Sequence, residues 1–275
     1  METETQQCQL CGYPIHLGHS PECQLYNSTR KENVPKSNIE EITDAVIVQA
    51  EQVKIRDEDR NENGELLVYP GGPVSNLPEQ EWRMTRTEAF QEWFKESMIL
   101  DENDEPLILY HGSDKNFKKF DTQSDSSENR DSGYFGQGSY FTPNKDLALS
   151  YGPVIYKTFL NIKNLQTFSI EDGNVRFRDK PLPKEIHEEV FKKYEPRKNK
   201  RLEALQKEKE ENRGNWSFVS TWNGEEDFED LLSEIVREVL IEKGINGAMG
   251  YNPTSRLYEY VAFEPDDIMI IPDKK

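Results

Sequence analysis

The chain has 275 residues, with 34 Lys and Arg against 52 Asp and Glu, a formal net charge of −18 and only 34% hydrophobic residues. That apolar share lies below the roughly 45–50% of an average soluble domain, so one domain with solvated appendages is expected, not a single core using the whole length. No run approaches the ~20 apolar residues of a membrane helix, the start METETQQ reads as no leader, and the acidic excess excludes a generic nucleic-acid- or membrane-coating role by long-range repulsion.

All three cysteines fall near the start, at Cys8, Cys11 and Cys23, with His16 and His19 between the last two. An odd count without a leader argues against a disulfide framework. A Cys-x2-Cys turn supplies two thiolates, and Cys23 with one imidazole completes the tetrahedral Cys3His set of structural zinc. His19 is the preferred fourth ligand, because Gly18 allows a turn back to Cys23; His16 is the alternate. So short a segment needs metal to hold it. It resembles the treble-clef or zinc-ribbon-like modules appended to phage and bacterial proteins.

Residues 24–42 are polar and read as linker. Residues 45–56 are β-rich, Asp57–Gly64 is a turn, and Glu65–Tyr69 is a second apolar run, which together predict a β-hairpin. A helix capped by Thr87 carries Phe90, Trp93 and Phe94 on one face. Met98–Leu100 and Leu107–Tyr110 predict a second hairpin, and a short strand follows around Phe117–Phe120. Thr142 as cap with Pro143 at the first helical position starts a short helix through Ser150. Val154–Leu160 reads as a strand. The stretch 171–227 is strongly polar, with a charged helix over Glu185–Glu211 that is either a solvated face or a partner or nucleic-acid surface. His187 within it reads as a surface residue. Asp227–Lys243 is an amphipathic helix with Gly244 as its stop. Gly247–Tyr251, Tyr258–Phe263 and Ile268–Ile271 close the chain as strands.

Four pieces carry chemistry by their order and spacing. They are Tyr110-His111-Gly112-Ser113 at a strand end, Gly136-Gln137-Gly138-Ser139-Tyr140-Phe141, Tyr151 eleven residues after Tyr140, and Glu259-Tyr260-Val261-Ala262-Phe263. Together they resemble the His-Tyr-Glu branch of the ADP-ribosyltransferase superfamily, and within it the domains of phage polyvalent proteins. The resemblance spans roughly 84–170 and 228–271. It implies an α+β fold, a split β-sheet core with flanking helices, beside the small zinc module. The organisation expected is a zinc module over 1–30, an acidic linker with a β-hairpin over 31–83, and a transferase domain over 84–275 with a charged insertion at 171–227.

The resemblance also implies roles. Catalysis falls to Glu259, His111 and Tyr140. NAD contacts fall to His111, Gly112, Ser113, Gly138, Tyr140 and Tyr151. The chemistry agrees. The nicotinamide is a flat cation that two tyrosine rings can sandwich. Its carboxamide needs one backbone donor and one acceptor, which Gly112 can offer. Breaking the glycosidic bond builds positive charge that a fixed carboxylate stabilises. Ser150 misses the position where some relatives hold a serine; Ala148 stands there. Arginine-modifying relatives carry Glu or Gln two residues before the catalytic Glu; here it is Leu257.

The expected function is mono-ADP-ribosyl transfer from NAD to a macromolecular acceptor, protein ahead of nucleic acid given the net charge. The setting is phage–bacterium conflict or host takeover, in the cytoplasm or from a virion. The alternatives are a nucleic-acid ADP-ribosyltransferase, an NAD glycohydrolase, or an inactive zinc-dependent binding module. RNA 2′-phosphotransferase chemistry would need a set of basic side chains that the sequence lacks.

Overall fold

Ile39, Ile42, Val46, Ala50 and Val53 recur every three or four residues and form one face of the first helix, α1 (Ile39–Gln52). The computed structural model describes residues 38–121, 133, 135–168, 175–177, 180–182, 184–211, 226–252 and 257–273. Residues 39–275 make one compact unit. After α1 come α2 (Glu79–Thr85), α3 (Glu88–Phe94), β1 (Leu109–Ser113), β2 (Ser139–Phe141) and α4 (Lys145–Tyr151). Then follow β3 (Val154–Leu160), β4 (Leu165–Phe168), β5 (Val175–Phe177), β6 (Lys180–Leu182) and α5 (Lys184–Glu211). The chain closes with α6 (Glu226–Glu242), β7 (Gly247–Asn252), β8 (Leu257–Ala262) and β9 (Ile268–Ile270).

The strands form a three-stranded antiparallel sheet, β1-β3-β9, a four-stranded sheet, β2-β8-β7-β4, and the small β5-β6 pair. In the four-stranded sheet only β4 and β7 run parallel. Among the described residues, the two larger sheets meet at one antiparallel bridge, where Tyr110 N–H donates to Thr142 O at 2.8 Å and Thr142 N–H donates to Tyr110 O at 2.9 Å. This is the split β-sheet, α+β architecture that the sequence predicts.

Strand alternation sorts side chains into three cores. On β3, Phe159 faces the α1–α3 layer, while Leu160 points between the sheets. On β8, Val261 packs against α6 and Ala262 lies between the sheets. Each fully buried Leu, Ile or Phe contributes roughly 1.5–3 kcal/mol. The amphipathic helix α6 buries Leu231, Leu232, Ile235, Val236, Val239 and Leu240, as expected. It ends at Gly244, with φ +77°. Gly244 N–H donates to Ile241 O at 2.9 Å and Ile245 N–H to Leu240 O at 3.0 Å, so the last carbonyls are satisfied by a left-handed residue.

Several expectations need correction. Residues 45–52 are helix, not the first arm of a hairpin; the apolar positions follow a 3.6-residue period that the contiguous run Ala45–Val48 hides. The part of the expected linker from Ile39 to Trp82 is packed structure, with Ile39, Val46, Leu66, Leu77 and Trp82 in one core with Phe159, Met269 and Ile271. The second hairpin is reduced to one bridge, Leu100 to Pro106. Phe117–Phe120 is irregular, not a strand. Helix α4 is capped by Asn144, which accepts from Leu147 N–H at 2.9 Å. Thr142 is unavailable as the cap because its backbone is held in the bridge to Tyr110. Thr87 does cap α3, accepting from Phe90 N–H at 3.1 Å.

The charged helix α5 is integrated, since Ile186, Val190 and Tyr194 join the core under α6. Two of its basic side chains are matched by acids of α6. Lys193 lies 2.8 Å from Glu238 and 2.6 Å from Glu242, and Arg197 lies 2.7 Å from Glu238.

Candidate active site

Helix α4 lies directly on β1 at Gly112. A Cβ there would stand 1.8 Å from the Ala148 carbonyl oxygen, so only glycine admits this approach. The packing sets Tyr151, the last residue of α4, beside the strand end that carries His111, Gly112 and Ser113.

His111 sits in an aromatic cage. Its ring centroid is 5.0 Å from Phe120, 5.6 Å from Phe141, 6.1 Å from Phe117 and 6.2 Å from Tyr156. Burial pushes its pKa below the ordinary histidine value, opposed in part by its hydrogen bond to Tyr140. That bond runs from Nδ1 to Tyr140 O at 2.8 Å. A carbonyl oxygen only accepts, so Nδ1 carries the proton and the neutral ring keeps Nε2 as an acceptor.

The same bond opens the strands. Beyond the Tyr110–Thr142 pair, a continuing antiparallel ladder would join Gly112 to Tyr140. The His111 ring takes the Tyr140 carbonyl instead, and β1 and β2 fork. Alternation along β1 directs the N–H and C=O of Gly112 into this fork, away from β3.

The Tyr140 hydroxyl donates to Gly136 O at 2.7 Å and accepts from Phe135 N–H at 3.0 Å, which fixes the half-buried ring. Tyr140 pairs with Val261 across β2 and β8, two residues from Glu259. Glu259 is 5% exposed, and its Oε1 accepts from the hydroxyl of Tyr151 at 3.2 Å. Histidine, both tyrosines and glutamate are thus tied pairwise, His111 to Tyr140 and Tyr151 to Glu259, around the place where the two sheets diverge.

Other expected residues take structural parts. Ser113 is buried, and its Oγ accepts from Lys115 N–H at 3.2 Å. At Gly138 a Cβ would come within 2.6 Å of Val261 and 2.7 Å of the Ala262 carbonyl oxygen, so what this glycine serves in the fold is the packing of β2 on β8. Phe117 and Phe120, three apart in Phe117-Lys118-Lys119-Phe120, belong to the histidine cage, and that spacing is the trace this leaves in the sequence. Cys8, Cys11, His16, His19 and Cys23 lie outside the described residues. Among the described residues, no group of three or more His, Cys, Asp or Glu could hold a metal ion, and no helix is long and apolar enough to cross a membrane.

The family described as ADP-ribosyltransferase in polyvalent proteins matches residues 101–274, and the chain belongs to that family. No curated protein matches it. A solved structure described as the crystal structure of an anti-CRISPR protein matches 60% of this chain and 94% of its own, at 14% identity and a TM-score of 0.29. The family match carries the assignment; that likeness does not.

Proposed function

We propose that this protein is a mono-ADP-ribosyltransferase that cleaves NAD and modifies a macromolecular acceptor, a protein first. The observation that supports it best is the buried Glu259 held by the Tyr151 hydroxyl beside the His111 fork. In this reading the C1′–N bond of the nicotinamide ribose breaks, and its electron pair leaves with neutral nicotinamide. The Glu259 carboxylate offsets the positive charge left on the ribose. The acceptor then gives an electron pair to C1′ and loses one proton. His111 Nε2 accepts from a ribose hydroxyl, and Tyr140 and Tyr151 flank the nicotinamide ring. The backbone of Gly112, at the fork, takes the carboxamide, with Ser113 and Gly138 beside it.

A protein acceptor is favoured over nucleic acid by the net charge of −18. Two cations of the basic run on α5, Lys193 and Arg197, are also engaged by the acids of α6. The setting proposed is the cytoplasm of a phage-infected bacterium. The test is incubation of the full chain with NAD and bacterial lysate, following nicotinamide release and label transfer. Glu259→Gln should cut turnover about 10²–10³-fold. Wild-type turnover in that variant, or no turnover by the wild type, refutes the reading. Label lost to protease assigns a protein acceptor, and label lost to nuclease overturns that choice.

The donor chemistry of Cys8, Cys11, Cys23 and His19, with His16 as the alternate, supports a structural zinc in residues 1–30. Metal analysis of the purified chain should find about one zinc per chain, lost on Cys8→Ser with Cys11→Ser. Equal metal content in wild type and variant would sink it.

A further inference from the structure

Tyr151 differs from the other aromatic residues of the site. The residue is 53% exposed, yet its hydroxyl reaches the carboxylate of Glu259, a residue only 5% exposed. The contact joins residues 108 positions apart and belonging to different layers. On one side, Tyr151 ends α4, which is pinned twice to β1. The Ala148 carbonyl lies over Gly112, and Gly152, directly after Tyr151, packs so close to Ser113 that a Cβ would stand 2.1 Å from the Ser113 carbonyl carbon. On the other side, Glu259 lies in β8, which β7 holds in register at Gly250. The phenol therefore strides from the three-stranded sheet to the four-stranded one, with both ends anchored by backbone.

A glutamate side chain has three rotatable bonds, and fixing them costs rotamer entropy. A carboxylate that must meet charge developing at one carbon works best when that cost is met before the substrate arrives. We propose that the Tyr151 hydroxyl is a positioning group for Glu259, a strap across the two sheets that presets the carboxylate, separately from any stacking by the Tyr151 ring. The inference rests on the NAD-cleaving reading of the site. It makes the two parts of one residue separable: the ring serves binding, and the hydroxyl serves turnover through Glu259.

Tyr151→Phe keeps the ring and removes the strap, and Tyr151→Leu removes both. In the full-length chain, NAD affinity is measured by calorimetry and kcat by nicotinamide release, with thermal midpoints taken to establish that both variants are folded. Tyr151→Phe should bind NAD within about twofold of wild type while kcat falls about 10–100-fold, the cost of a misplaced catalytic group. Tyr151→Leu should lose affinity as well. An unchanged kcat in Tyr151→Phe overturns the proposal. So does weakened NAD binding with kcat retained, which would make the hydroxyl a substrate contact. Absence of nicotinamide release by the wild type overturns the NAD-cleaving reading itself, and the strap with it.

Discussion

Replacing Asp267 by asparagine should stabilise the protein, and more so as the pH rises. Asp267 closes the turn Pro265–Asp267 between β8 and β9. Its Oδ2 accepts from Asn246 Nδ2 at 3.0 Å, and its carbonyl accepts from Asn161 N–H at 2.8 Å. Burial pushes its pKa from 3.8 up to about 7, helped by the charges of Glu264 and Asp266 and opposed by the Asn246 hydrogen bond and Lys163. The folded state therefore keeps a proton that the unfolded chain releases above pH ~4. Stability falls as pH rises through that window, and the full penalty applies above about pH 7. At 1.36 kcal/mol per unit, the ~3-unit shift is worth about 4 kcal/mol, of which about 3 kcal/mol develops between pH ~5 and ~7. An asparagine oxygen can still accept from Asn246 and has no charge to bury. Thermal midpoints of wild type and Asp267→Asn would be compared at about pH 5 and about pH 8. The advantage of the variant should grow by roughly 6–12 °C between the two, at about 2–4 °C per kcal/mol for a unit of this size. All other titrating groups cancel in the difference. An advantage that is the same at both pH values would refute the argument.

Two further outcomes follow from the site. Gly112→Ala puts a Cβ against backbone that cannot rotate away, the Ala148 carbonyl, so α4 must shift; a loss of about 1–3 kcal/mol in denaturant unfolding, with weaker NAD binding, is expected, and wild-type values for both would contradict the close approach. His111 should titrate below the ordinary histidine value because burial disfavours its charged form; since the unfolded chain takes up that proton first, its contribution to stability is lost as pH falls below about 6.5. In an NMR titration of the histidines, a signal that titrates late should disappear in His111→Gln, and a His111 signal at the ordinary midpoint would count against the caged, neutral ring.

Much of the transferase core is readable in the sequence because its elements are self-contained. Helix α6 shows its full apolar stripe and its glycine stop, and β3, β7, β8 and β9 are apolar runs bounded by turn residues. The His111, Tyr140, Tyr151 and Glu259 set is readable because order and spacing survive without coordinates. What failed did so where tertiary context decides. In α1, Val46, Ile47 and Val48 favour strand locally, and burial of Ile39, Val46 and Ala50 against α3 and β9 makes the stretch a helix. Thr142 and Asn144 are both competent caps, and a bridge to a residue 32 positions earlier chooses between them. The Tyr151–Glu259 bond and the ring cage of His111 join segments far apart in the chain, and neither leaves a local pattern.

The layer α1–α3 bears on where this enzyme can be cut. The family match begins at residue 101, yet the reverse side of β3 and β9 is covered by side chains from before that point, Ile39, Val46, Trp82, Phe90 and Phe94 among them. A fragment starting at the family boundary would leave Phe159, Met269 and Ile271 facing water, a contiguous greasy face of the kind that drives self-association. The smallest portable transferase therefore begins ahead of Ile39, and any transplant of the catalytic half into another protein has to bring these helices along.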